Sequence, residues 1–120
     1  MSRDRLRVAD YLEHILEATR RIEDYCHGMD QRAFLSNRLV QDAVIRNFEI
    51  IGEASRNIER VDPSFLTAHP ELPLSFAYEM RNFLSHGYFK VDLALVWRTI
   101  KADLPSLRKQ VVDAMGDISS

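Results

Sequence analysis

The chain has 120 residues, 46% hydrophobic and 28% charged, with a net charge of −2; this is enough apolar material for the core of a single domain, residues 1–120. The slight negative charge excludes a protein that gathers nucleic acid by its overall field, and four glycines and four prolines are too few for the many turns of an all-β sandwich. A lone cysteine, Cys26, excludes an internal disulfide, while the charged start MSRDRLRVAD and the lack of a long apolar run point to a cytoplasmic protein with no membrane segment.

Residues 4–26 are predicted to form one long helix. Val8, Leu12, Ile15, Thr19, Ile22 and Cys26 recur at spacings of four and three, and Leu16 and Tyr25 widen the stripe. HGMD (27–30) breaks it, with Gly28 as the stop. Asp30 caps a short turn through Phe34. A second long helix follows over 36–60, with Leu39, Ala43, Ile50, Ala54 and Ile58 on its apolar face and Val40, Val44, Phe48 and Ile51 beside them. Asp62 followed by Pro63 starts a short helix over 63–68, which Pro70 and Pro73 end. Ser75 caps a third principal helix over 76–86, turning Phe76, Met80, Phe83 and Leu84 inward. Asp92 caps a last long helix through Val111, kinked at Pro105, with Trp97 in its core stripe. The tail GDISS (116–120) is expected to fray. No segment alternates with a period of two. The expectation is all-α: an up-and-down bundle of four main helices plus short connecting helices.

Of the 16 cations 13 are Arg, whose planar fork suits phosphate and carboxylate, although a composition bias gives the same count. The residues most suggestive of chemistry close the third principal helix, in MRNFLSHGYFKVD (80–92). Arg81 and His86 are five residues apart, roughly 140° around an ideal helix. They converge only if the helix stops at His86, where Gly87 lets the backbone turn, or if another chain brings them together. A His at a helix C-terminus also has a plain structural use, since its cation suits the dipole there.

The wider stretch MRNFLSHGYFKVDLALVW (80–97) resembles the signature of the HepT-like toxins, a family of the HEPN superfamily, whose members carry Arg-x4-His-x-Tyr at the end of a helix. The matching residues are Arg81, His86 and Tyr88, with Asn82 beside the Arg. LVQDAVIRNFEIIGEASRNI (39–58) resembles the family's second helix, and DPSFLTAHPELP (62–73) its connecting loop. Together the similarity covers about residues 8–110. One departure is visible: many relatives have Trp where this chain has Leu74 or Ser75, a matter of packing at the start of the helix.

The resemblance implies a homodimer in which two Arg-x4-His motifs meet at the interface and cut RNA without a metal. It also implies the toxin half of a type VII HepT/MntA-like toxin–antitoxin pair, with a minimal nucleotidyltransferase as partner and antitoxin. That partner would neutralise the toxin by adding AMP to Tyr88. The chemistry is coherent. Cleavage through the 2′-hydroxyl needs a base and an acid on opposite sides of phosphorus, and two His86 side chains from two chains supply both. Arg81 would hold the phosphate, and Asn82 would hydrogen-bond the phosphate or fix the His86 tautomer. The RNA, tRNA or mRNA, is not specified by these residues. An alternative is a non-catalytic, nucleotide-binding adaptor subunit of the transferase, in which Arg81 and His86 bind without cleaving.

No cofactor is expected. His14, His27 and His69 are scattered and fit surface or capping positions, and no zinc-ligand spacing is present. Gly52, in the middle of the second long helix, costs about 1 kcal/mol against Ala, which close approach of another helix would justify. Glu49 and Glu53 are at pairing distance in sequence from Arg46 and Arg56. Alternatively, Glu53 or Asn47 reaches the site and orients His86 or Arg81.

Overall fold

The structure, a computed structural model, describes residues 3–70, 72 and 91–119. Every regular element among them is helical: α1 (Arg3–Tyr25), α2 (Gln31–Leu35), α3 (Arg38–Val61), α4 (Pro63–Ala68), α5 (Leu93–Ala102) and α6 (Leu104–Ser119). The all-α expectation therefore holds. The helix expected over 76–86, with its cap Ser75 and its apolar residues Phe76, Met80, Phe83 and Leu84, lies outside the described residues.

The centre of the fold is the pairing of α1 with α3, flanked by α6 on α1 and by α2 and α4 on α3. Val8, Leu12, Ile15, Leu16 and Ile22 of α1 are buried, as their spacing requires. Each such side chain contributes about 1.5–3 kcal/mol when fully removed from water. Thr19 shares the stripe because its Oγ1 donates to the Leu16 carbonyl at 2.7 Å, which satisfies the hydroxyl locally. Tyr25 departs from expectation. It is 40% exposed, because it is the last residue of α1 and the chain turns away there. Gly28 makes the turn with φ of 76°, which a residue lacking Cβ adopts without strain.

The caps explain the boundaries. Asp30 accepts from the Ala33 amide at 2.8 Å and starts α2. Asn37, rather than Ser36, caps α3 by accepting from the Val40 amide at 3.1 Å. Ser36 belongs to the end of α2, where its Oγ donates to the Arg32 carbonyl at 2.7 Å. Along α3, Val44, Phe48, Ile51, Ala54 and Ile58 are buried. Leu39, expected on that face, is 81% exposed; Val40, a step of about 100° around the helix, packs against the core instead. Pro63 opens α4 as expected, but Asp62 gives no side-chain cap. Its Oδ1 accepts from Ser64 Oγ.

The last long helix is two helices. Asp92 caps α5 through the Leu95 amide at 3.1 Å, as expected. Then α5 stops at Ala102, and α6 begins at Leu104. Pro105 has no N–H to donate to the Lys101 carbonyl and its ring would collide with it, whereas in a first turn neither cost arises. Trp97 is in the core, its ring centroid 5.3 Å from that of Phe34, with Lys101 Nζ over its face at 4.8 Å. The tail from residue 116 continues α6 to Ser119, with Ile118 buried. No helix of the described residues is long and apolar enough to cross a membrane.

Candidate functional site

Arg81, Asn82, His86 and Tyr88 lie outside the described residues, as do Leu74 and Ser75. The remaining two candidates, Asn47 and Glu53, are both on α3. They do not come together: six residues of helix turn them roughly 120° apart. Asn47 is buried and Glu53 is exposed.

Asn47 is 4% exposed and one of four buried polar residues among those described, with Thr19, Ser55 and Thr99. The three hydroxyls resolve their burial by donating to carbonyls, Ser55 Oγ to Ile51 at 2.7 Å and Thr99 Oγ1 to Leu95 at 2.9 Å, beside the Thr19 bond above. Asn47 resolves half of its own. Its Nδ2 donates to the Ala43 carbonyl at 2.8 Å. Its Oδ1 is sealed from solvent and accepts no hydrogen bond, the one such atom among the described residues. An acceptor left in this state costs about 1–3 kcal/mol. Such a group in a native interior calls for an explanation, and a functional site is one of the few.

The opposite side of α3 is charged. Arg46 Nη1 meets Glu49 Oε2 at 3.6 Å, the helical pair the sequence led one to expect. The second expected pair, Glu53 with Arg56, is not formed. Instead Glu53, Arg56, Asn57 and Arg60, on one face at steps of three, one and three, line an open polar cavity of about 490 Å³. Nothing in the sequence separated this cluster from an ordinary solvated helix face, because both have the same periodicity.

The three scattered histidines take the positions expected. His14 is exposed, edge-on to Tyr11 with ring centroids 6.2 Å apart. His27 is exposed in the turn after α1. His69 is the C-cap of α4, its ring stacked on Phe65 at 4.3 Å and its Nδ1 3.9 Å from Asp117 Oδ2. No group of three or more His, Cys, Asp or Glu side chains among the described residues is placed to hold a metal ion. Burial pushes the Cys26 thiol above its ordinary pKa and outweighs Lys101, which pulls the other way. A thiol held protonated is a poor nucleophile.

The family model described as Ribonuclease HepT-like matches residues 15–114. A protein of Thermococcus cleftensis named "Probable ribonuclease HepT" is 46% identical over 99 residues, covering 82% of this chain and 87% of that one. Two relatives come from Methanocaldococcus jannaschii. One, named "Putative RNase MJ1380", is 36% identical over 104 residues, 87% of this chain and 93% of its own. The other, named "Gamma-glutamylcyclotransferase and putative RNase MJ0434", is 38% identical over 108 residues, 90% of this chain but 47% of that longer protein. No solved structure is matched by the chain.

Proposed function

This chain belongs to the Ribonuclease HepT-like family, and from that premise we propose that it is a metal-independent endoribonuclease whose site forms where two copies meet. Arg81 and His86 are the catalytic residues. The His86 imidazole of one chain takes the proton from a ribose 2′-hydroxyl, and the 2′-oxygen attacks the adjacent phosphorus. The bond to the 5′-oxygen breaks, and the partner subunit's His86, as imidazolium, gives that oxygen its proton. The products are a 2′,3′-cyclic phosphate and a 5′-hydroxyl. The second imidazole ends neutral and the first ends protonated, so the pair exchanges roles with no external reagent. Arg81 neutralises charge building on the non-bridging oxygens, and Asn82 donates to the phosphate or holds the His86 tautomer.

The observation that carries the reading is the Arg81-x4-His86-x-Tyr88 motif inside the stretch matched by the family, 15–114. A second feature supports it from the described residues. Asn47 Oδ1 is a buried acceptor lacking a donor, the state expected of an amide poised to orient an Arg or His side chain. In the same reading the protein is the toxin of a pair, and a minimal nucleotidyltransferase antitoxin silences it by placing AMP on Tyr88. The added anion would sit against Arg81 and keep substrate phosphate out.

The test is cleavage of purified tRNA and mRNA in EDTA by wild type and His86→Ala, with the new ends sequenced. Cyclic-phosphate ends from wild type alone support the proposal. Equal cleavage by the two proteins, or none by wild type that is free of AMP, rejects it; the latter result leaves the adaptor role. Intact-mass measurement after co-expression with the transferase checks for AMP on Tyr88.

A further inference from the structure

The charged face of α3 has a feature that pairing does not explain. Arg56 and Arg60 are four residues apart, so their side chains are neighbours on the helix surface, and like charges at that spacing repel. A counter-ion would ordinarily offset this. Glu59, three residues on from Arg56, is already engaged in an interaction of its own. Glu49, one turn further back, is already engaged by Arg46 at 3.6 Å. Glu53 and Arg56 line the same cavity without an ion pair. The negative end of the α3 dipole accounts for Arg60, which is in the last turn. It does not account for Arg56, a full turn earlier.

We propose that Arg56 and Arg60 form a phosphate-binding edge that holds the RNA strand at phosphates other than the scissile one. This rests on RNA being the substrate, as proposed above. The cavity beside them is open and polar, so a strand can lie along this face without entering an enclosed pocket. Two guanidiniums one helical turn apart match the separation of adjacent phosphates along an extended strand. Each presents a planar fork that takes a phosphate oxygen pair. Asn57, between them in sequence, adds an amide able to donate to a phosphate or read a base edge. Glu53 repels phosphate, so the anions bind toward Arg60, and the Glu53 carboxylate meets a ribose hydroxyl or a base amino group instead. A chain of net charge −2 cannot grip RNA through its overall field; it needs a local edge of this kind.

The experiment measures binding of a short, fully 2′-O-methylated single-stranded RNA, which has no 2′-hydroxyl to attack, by fluorescence anisotropy over a range of salt. It compares wild type, Arg56→Gln/Arg60→Gln and a charge-matched control, Arg7→Gln/Arg20→Gln, on exposed positions of α1. Gln has a helix propensity close to that of Arg, so the helices should persist, and circular dichroism verifies this. The α3 variant should bind about tenfold more weakly, with a log Kd–log salt slope shallower by about 1.4, the loss of two single-strand phosphate contacts. The control should keep the wild-type slope. An unchanged slope in the α3 variant, or an equal loss in the control, overturns the inference. If wild type cleaves RNA while the α3 variant binds normally, this inference alone fails. If wild type neither binds nor cleaves RNA, the proposed function fails with it. A variant that binds RNA normally but no longer docks an acidic protein would assign the Arg pair to a protein partner and likewise overturn the inference.

Discussion

The Asn47 amide is tied to Ala43 one turn back, Nδ2 to carbonyl at 2.8 Å, and that bond leaves its Oδ1 in a sealed interior with nothing to accept. The Ala43 carbonyl loses little if the amide goes, since helix carbonyls already receive the backbone bond of the fourth residue on. Asn47→Leu should therefore fold, with stability within about 1 kcal/mol of wild type by urea unfolding, because removing an orphaned polar group offsets the lost bond. RNA cleavage should fall about tenfold or more if Oδ1 orients the site. Cleavage at the wild-type rate would assign Asn47 to packing alone.

The proposed two-chain site makes a prediction about stoichiometry. If each scissile phosphate needs a His86 from both chains, a dimer with one His86→Ala subunit is dead. Unfolding and refolding wild type with an equal amount of His86→Ala would then leave only wild-type homodimers active, about a quarter of all dimers. Activity per wild-type chain would halve. Activity per wild-type chain that is independent of mixing would show that each subunit cuts alone.

Phe34 and Trp97 tie α2 to α5 with ring centroids 5.3 Å apart and planes inclined at 32°. Phe34 is fully buried, so Phe34→Ala should cost about 3–5 kcal/mol, a large part of an ordinary domain's stability. Leu39→Ala, in the first turn of α3 at 81% exposure, should change stability by less than about 0.5 kcal/mol. Urea midpoints at constant slope measure both. A comparable loss at Leu39 would mean that a second chain covers it in solution.

Cys26 provides a pH dependence whose sign is fixed by its environment. Burial raises its folded-state pKa above that of the unfolded thiol. As pH rises past the unfolded value, the unfolded chain loses this proton first, and stability falls. Below that value the thiol is protonated in both states and contributes no slope. Cys26→Ala should thus lose less stability than wild type between neutral and strongly alkaline pH, as read from urea unfolding at each pH. The wild-type thiol should also react slowly with iodoacetamide at neutral pH until the protein is unfolded. Rapid alkylation of the folded protein would contradict a sealed Cys26.

The sequence by itself determined what depends on neighbours along the chain. The spacing of Val8, Leu12, Ile15 and Ile22 marked the buried stripe of α1, Asp30 and Asp92 marked two helix starts, and Gly28 marked a turn with positive φ. These features are set by backbone geometry within one or two turns. The Arg81-x4-His86-x-Tyr88 spacing is a local pattern too, and its role belongs to the proposal above. Tertiary structure decided everything that depends on which element lies opposite. Leu39 and Val40 are equally apolar in sequence, yet only Val40 turns to the core. Pro105 separates two helices where a kink was expected, and Ile118 is buried near the end of α6. Asn47 and Arg56 both lie in a helix of mixed character. Folding buries the first with an unanswered acceptor and leaves the second exposed at a polar cavity, because burial and charge pairing are properties of the assembled surface, not of residue type.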